Sequence, residues 1–262
     1  ASFPLPNLPN DTSTIFFFCE FMNILFVSPE VNPLVRTGGL GDVVGSLPLA
    51  LQNLGADVRV ICPMHRPCQS IANQLLKKKI KVNIGNRSLS ASIRETRLGQ
   101  SNVPAYLLDL PELFDRDGIY SDRNGDFSDN PQRAFALCQA AVQIDRVTGW
   151  HPQIIHAHDW MAAPVCAYAN SKQTKHGQKT RVRTVLTIHN LQHQGVFSYE
   201  DFISSGLPSS NWGLDGFEKD GSMNLLKGGI QHATKITTVS PTYATEIRTT
   251  EYGCGLEASL EY

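Results

Sequence analysis

Short unbroken apolar runs alternate with helically spaced apolar positions along most of this chain. The run Asn-Ile-Leu-Phe-Val-Ser at 23–28 has the character of a strand buried on both faces. Pro29 and Pro33 break the pattern after it, and then Leu40, Val43, Val44, Leu47, Leu51 and Leu54 recur at helical spacing. Gly55 is placed to close that helix, and Pro48 inside it is expected to kink it. A second strand at 57–63 completes a strand–helix–strand unit. Further strands are expected near 80–84, 91–98, 103–109, 153–158, 184–190 and 235–240. Helices are expected at 131–147 with Pro131 as the first residue, at 160–170, at 223–233 and from 241 onward. This alternation predicts an α/β fold with a mostly parallel sheet. The stretch 111–130 lacks periodicity and is longer than most connections, which marks it as a functional loop.

Composition narrows the picture. The 262 residues are 41% hydrophobic and carry a formal net charge of -1. That balance speaks against a nucleic-acid binder or a membrane-surface protein, which carry a basic excess. The densest basic stretch, at 172–183, has no interleaved aromatic residues and reads as a solvated loop. The six cysteines are scattered singly with no C-x-x-C pair, so they read as core residues of a protein in a reducing compartment. Residues 1–21 lack a basic n-region and a small-residue cleavage site, and regular patterning starts at Met22. They are expected to form an extension outside the fold, with 22–262 as one folded domain.

In parallel α/β sheets, ligands bind beyond the carboxyl ends of the strands. That rule selects 28–42, 110–130, 156–160, 189–197 and the chain from 240. The turn Arg36-Thr37-Gly38-Gly39-Leu40-Gly41 satisfies neither G-x-G-x-x-G nor a Walker loop. A glycine pair before a helix still permits close backbone approach to an anion, and Arg36 could add a forked contact. His156 and His158 fall on one face of a strand that ends in Asp159, and His189 and Asn190 end another, with His193 nearby. Two chemistries suit such clusters. The histidines with Asp159 could hold a metal for hydrolysis, or a histidine, an aspartate and helix N-termini could orient a sugar and its phosphate leaving group. Spacing alone does not choose between them.

Taken together, Glu30, Pro33, Arg36, Gly38, Gly39, Leu40, Asp42 and Val43 resemble the opening motif of the bacterial glycogen synthases and plant starch synthases, glycosyltransferase family 5. His-Ala-His-Asp-Trp at 156–160, Ile-His-Asn-Leu-Gln-His-Gln-Gly at 188–195 and the segment 238–247 look like later landmarks of that family in the same order. The resemblance implies the N-terminal, Rossmann-like, three-layer half of a two-domain GT-B enzyme. It implies transfer of glucose from ADP-glucose to the non-reducing end of an α-1,4-glucan, with retention, without a metal and without a cofactor. Gly38 and Gly39 match glycines that approach the donor phosphates, and His189 matches the active-site histidine beside the transferred glucose. Asp159 matches an aspartate of the catalytic cleft, and Asn190 and Tyr120 match positions on the sugar or acceptor side. Glu30 and Asp42 occupy motif positions that either touch ligand or support the loop. Where the family has lysine this chain has Arg36, which keeps the charge but not the geometry, so donor preference (ADP- or UDP-glucose) is the property it bears on. A second Rossmann-like domain, expected past Tyr262, would supply most nucleotide contacts, so 22–262 alone is expected to be inactive. The bacterial cytoplasm or the plastid stroma is the expected setting. A glucan-binding module without turnover is the alternative from another class.

Overall fold

The structure, a computed structural model, describes residues 22–174 and 182–261. The expected N-terminal extension lies outside those residues, and so does most of the basic stretch at 172–183.

Leu25, Phe26 and Val27 are fully buried in strand β1 (Asn23–Val27), which has sheet on both sides and helices above and below. Burying side chains of this size stabilises the fold by roughly 1.5–3 kcal/mol each. Alternation sends Leu25 and Val27 to one face of the sheet and Ile24 and Phe26 to the other. Helix α1 (Gly39–Asn53) covers the second face with Leu40 and Val44, and β2 (Asp57–Pro63) then pairs parallel to β1. Gly55, at φ +93, follows the helix in the left-handed conformation that suits glycine. Helix α1 runs through Pro48 as one element, so the expected kink does not divide it.

The hairpin β3 (Gln74–Ile84) and β4 (Arg87–Arg97) pairs antiparallel and leads into β5 (Pro104–Asp109), which is antiparallel to β4 and parallel to β2. Helix α2 (Asn130–Ala141) packs on the first face and is followed by β6 (Ile154–His158). Two short helices, α3 (Asp159–Ala162) and α4 (Val165–Thr174), precede β7 (Arg183–Ile188). Helix α5 (Leu225–His232), strand β8 (Lys235–Thr238) and helix α6 (Pro241–Glu246) complete the alternation. The sheet order is β8-β7-β6-β1-β2-β5-β4-β3. Counting only the parallel strands, this is the doubly wound order 3-2-1-4-5-6, with an antiparallel hairpin added at one edge. The order reverses between β1 and β6, where Val27 pairs with Ala157. The expected Rossmann-like, three-layer α/β fold is the one observed.

Several boundaries depart from the pattern. The helix expected over 131–147 stops at Ala141 and resumes at Ile144–Thr148, because Gln143 N–H tightens onto Ala140 O. It begins at Asn130, one residue before Pro131. The helix expected over 160–170 is broken at Pro164, which has no N–H to continue the ladder. The stretch 111–130 is not structureless: it holds a helical turn at Pro111–Phe114 and a small antiparallel pair, Ser121–Asp122 with Gly125–Asp126. The strand expected over 80–84 starts at Gln74, and those expected to reach 190 and 240 end at Ile188 and Thr238.

The loop after β1 lies so close to α1 that a Cβ on Gly45 would stand 2.5 Å from Asn32 O. Ordinary helix propensity favours alanine over glycine by about 1 kcal/mol. Here overpacking, which costs typically about 1–3 kcal/mol, outweighs it. Gly45→Ala is therefore expected to lower the urea midpoint, and a raised midpoint would show that the loop can move aside freely.

Candidate active site at the carboxyl ends of the central strands

At the point where the strand order reverses, the loops after β1, β6 and β7 enclose a cleft of about 1290 Å³. Glu30, Gly38, Gly39, Tyr120, Asp159, His189, Asn190 and His193 all line it. Segments as far apart as 30 and 190 meet there because all of them leave the same edge of one parallel sheet.

Glu30 organises the first wall. It is 3% exposed, and its carboxylate accepts the N–H of Thr37 at 2.5 Å, the N–H of Gly38 at 3.2 Å and the hydroxyl of Tyr120 at 3.0 Å. Burial, then the charge of Glu30, pushes the Tyr120 phenol well above its ordinary value, so it stays a donor. Gly41 must be glycine, since a Cβ there would lie 2.9 Å from Arg36 Cβ and 3.1 Å from Glu30 Oε2. A Cβ on Gly38 or Gly39 would meet nothing within 4 Å. The two glycines expected to approach phosphates thus face open space at the N-terminus of a 15-residue helix, where free N–H groups favour an anion.

Arg36 and Asp42 are placed differently. Arg36 Nη1 lies 2.8 Å from Asp42 Oδ1, both side chains are about half exposed, and neither lines the cleft. Asp42 also accepts from Asn32 Nδ2 at 3.0 Å, so it ties the turn to the loop after β1.

The second wall comes from β6 and β7. Asp159 has φ +56, a left-handed conformation that aspartate tolerates better than most residues. Its Oδ1 accepts the N–H of His189 at 2.7 Å and that of Asn190 at 3.4 Å, which fixes the end of β7. Burial raises the Asp159 carboxyl to about 7; the two N–H donors oppose that rise and the charge of Glu30 adds to it. Trp160 lines the cleft between Tyr120 and Phe197, with ring centroids 5.9 and 6.0 Å away. Gln192, Gln194 and Phe197 add to the lining. None of these four was singled out from the sequence, although Trp160 belongs to the His-Ala-His-Asp-Trp segment, and an aromatic at a strand end is a signal for it.

His156 and His158 do share a strand face, with ring centroids 4.4 Å apart, but they lie behind the cleft wall. His156 Nε2 is 2.6 Å from Thr187 Oγ1, and His158 Nδ1 is 3.0 Å from His189 Nε2. One ring nitrogen of each is thus directed at a neighbour in the fold. Among the described residues, no three His, Cys, Asp or Glu side chains converge as a metal ligand set would.

Burial pulls His65, His156 and His189 down to about 4, and holds His158 well below its ordinary value. Each ring stays neutral in the fold where an unfolded histidine, near 6.5, would be charged. Their contribution to stability is present above about pH 6.5 and lost as pH falls toward 4. Asp159 acts oppositely: its folded value near 7 lies above the ordinary carboxyl value, so its contribution is present in acid and lost as pH rises through 7. Four histidines outweigh one aspartate, so unfolding near pH 5 is expected to take up a net of about 3 protons. Urea midpoints measured from pH 7 to pH 5 should fall steadily; a flat profile would mean that the rings are charged in the folded chain.

Comparison with known proteins gives a consistent picture. The family described as starch synthase catalytic domain matches residues 23–262. Glycogen synthase 2 of Geobacter sulfurreducens is 38% identical over 241 residues, covering 91% of this chain and 49% of its own length. Glycogen synthase of Burkholderia thailandensis is 40% identical over 240 residues, covering 89% of this chain and 44% of its own. The catalytic domain of starch synthase IV from Arabidopsis thaliana, solved with ADP and acarbose, superposes with a TM-score of 0.79 at 28% identity. It covers 92% of this chain and 49% of its own. This chain therefore spans about half the length of the relatives it matches. An eight-stranded doubly wound sheet, a cleft at its switch point and these likenesses lead to one statement of kinship: the chain belongs to the starch synthase catalytic domain family, glycosyltransferase family 5.

Proposed function

We propose that this chain is the first half of a glucosyltransferase that moves glucose from ADP-glucose to the non-reducing end of an α-1,4-glucan, with retention and without a metal. The observation that carries the reading is the cleft itself. Two glycines open a helix N-terminus toward it on one side, and a neutral histidine stands on the other. A similar fold has been solved with ADP and acarbose, a nucleotide and a glucan-like sugar. The setting we propose is the compartment that makes ADP-glucose, the bacterial cytoplasm or the plastid stroma. Among the described residues no helix is long and apolar enough to cross a membrane.

In this reading Gly38, whose N–H is held by Glu30, lets the donor phosphates approach the backbone closely, and the free N–H of Gly39 with those of the first helical turn receives them and stabilises the departing diphosphate. His189 sits beside the transferred glucose, and its neutrality matters: a charged imidazole would oppose positive charge developing at the anomeric carbon. Asp159 is a positioning residue, since its contacts are the N–H groups of His189 and Asn190. Asn190, Tyr120 and the Trp160 face border the sugar. Glu30 acts through the turn that it holds. Arg36 reaches the donor by exchanging Asp42 for phosphate. An exposed pair of this kind is worth about 0–1 kcal/mol. A charge-assisted bond to phosphate contributes about 1.5–3 kcal/mol, so the exchange is favourable.

The test is incorporation of labelled glucose from ADP-glucose into glycogen, by this chain fused to the second half of a closely similar relative. Transfer that disappears in His189→Ala supports the reading, and glucan binding without any transfer would replace it with a binding module. In the same assay Gly38→Ala is expected to fold normally, because its Cβ meets open space, yet to raise the donor KM at least tenfold. Arg36→Ala is expected to raise donor KM by about tenfold or more, with Arg36→Lys in between. An unchanged KM in Arg36→Ala would leave Arg36 as the partner of Asp42 alone.

A further inference from the structure

Behind His189 stands a second histidine that does not line the cleft. His158 is fully buried, stacked on Phe26 with ring centroids 5.2 Å apart and set against His156 at 4.4 Å. Its Nδ1 lies 3.0 Å from His189 Nε2, and its own Nε2 is sealed from solvent with no hydrogen-bond partner. Two neutral imidazoles can share such a contact in two ways. If His189 donates from Nε2, the proton of His158 sits on its own Nε2, and a buried N–H faces apolar groups. If His158 donates from Nδ1, the orphaned Nε2 is a bare acceptor. Buried N–H groups without a partner are rarer than under-satisfied acceptors, and leaving a donor unmade forfeits its full desolvation cost. A charged His158 would place a cation out of water among three rings with no anion in contact, which is costlier than either.

We propose that His158 is a positioning residue that donates its Nδ1–H to His189 Nε2 and thereby locks His189 as the Nδ1–H tautomer, with that N–H offered to the cleft. His189 Nδ1 takes no partner in the fold and is not sealed from solvent, and the cleft is the space that His189 lines. The consequence for binding is a fixed polarity. His189 presents a hydrogen-bond donor, so it selects a ligand oxygen that can accept, such as a sugar hydroxyl oxygen. It does not offer the acceptor that the other tautomer would. This part of the inference rests on the proposed placement of a sugar beside His189, whereas the tautomer itself does not. Behind the pair, His156 Nε2 meets Thr187 Oγ1 at 2.6 Å, and Thr187 meets Thr237 Oγ1 at 2.7 Å. That row of bonds holds the ring on which His158 rests.

Long-range proton–nitrogen spectra of this chain, grown with ring-labelled histidine, separate protonated from bare ring nitrogens. His189 is assigned by the signals missing from His189→Gln, and His158 by those missing from His158→Gln. The expected result near pH 7.5, without any ligand, is both rings protonated on Nδ1 and bare on Nε2. In His158→Phe, which keeps a ring on Phe26 and removes the donor, His189 is expected to shift toward the Nε2–H form that free imidazole prefers. His189 protonated on Nε2 in the parent chain would overturn the proposal without requiring any variant to fold. A folded His158→Phe chain whose His189 kept its proton on Nδ1 would overturn it too. Because no substrate enters the measurement, its outcome is separate from that of the transfer assay.

Discussion

The carboxylate of Glu30 is the interaction on which the glycine turn depends. It gathers the N–H groups of Thr37 and Gly38 and the hydroxyls of Thr37 and Tyr120, and so bends the segment between β1 and α1 toward the cleft. The hold extends further back. Tyr120 O accepts from Asn130 Nδ2, and Asn130 Oδ1 accepts from Arg133 Nη1, a guanidinium with no exposed surface. A buried arginine on α2 thus anchors, through two side chains and one carboxylate, a backbone turn at the opposite wall. Unpaired buried polar groups are costly, so each member of this row keeps the next in place.

The sheet supplies the frame for that row. In a doubly wound order, the loops after adjacent central strands leave in opposite directions along the sheet and open a crevice between them. Here the crevice separates the Glu30 wall from the Asp159 wall. Each wall is fixed in the same way, by a buried carboxylate that accepts backbone N–H groups. The histidine layer behind the second wall is desolvated enough to stay neutral.

Much of the fold was legible because parallel strands buried on both faces leave apolar runs, unbroken at 24–27 and interrupted only by Arg59 after Asp57 in the second strand. The edge hairpin was legible only in part. Lys77, Lys78 and Lys79 mask the start of β3, as charges on an edge strand do. Gly85-Asn86 is a two-residue hairpin turn that marks its end, with Ile84 opposite Arg87. Pro164 was a readable break within the expected helix. The members of the candidate site could be chosen by the strand-end rule, and the structure brings Gly38, Gly39, Tyr120, Asp159, His189 and Asn190 to one cleft. What each side chain touches could not be chosen that way. Arg36 turns to Asp42, six residues on, and Glu30 turns to the backbone of its own loop. Those directions depend on where α1 docks, which local spacing does not encode.

Asp159 satisfies two demands at once: a left-handed φ and an acceptor for the N–H groups of His189 and Asn190. Glycine would meet the first and fail the second, and glutamate would strain the first. Asparagine, with its amide oxygen in the acceptor position, is the one other residue that meets both. Because the carboxyl here titrates near 7, asparagine would also copy its protonated state. For anyone recoding this domain, position 159 therefore has an alphabet of two letters, while its neighbour Trp160 is constrained by volume against Gly195.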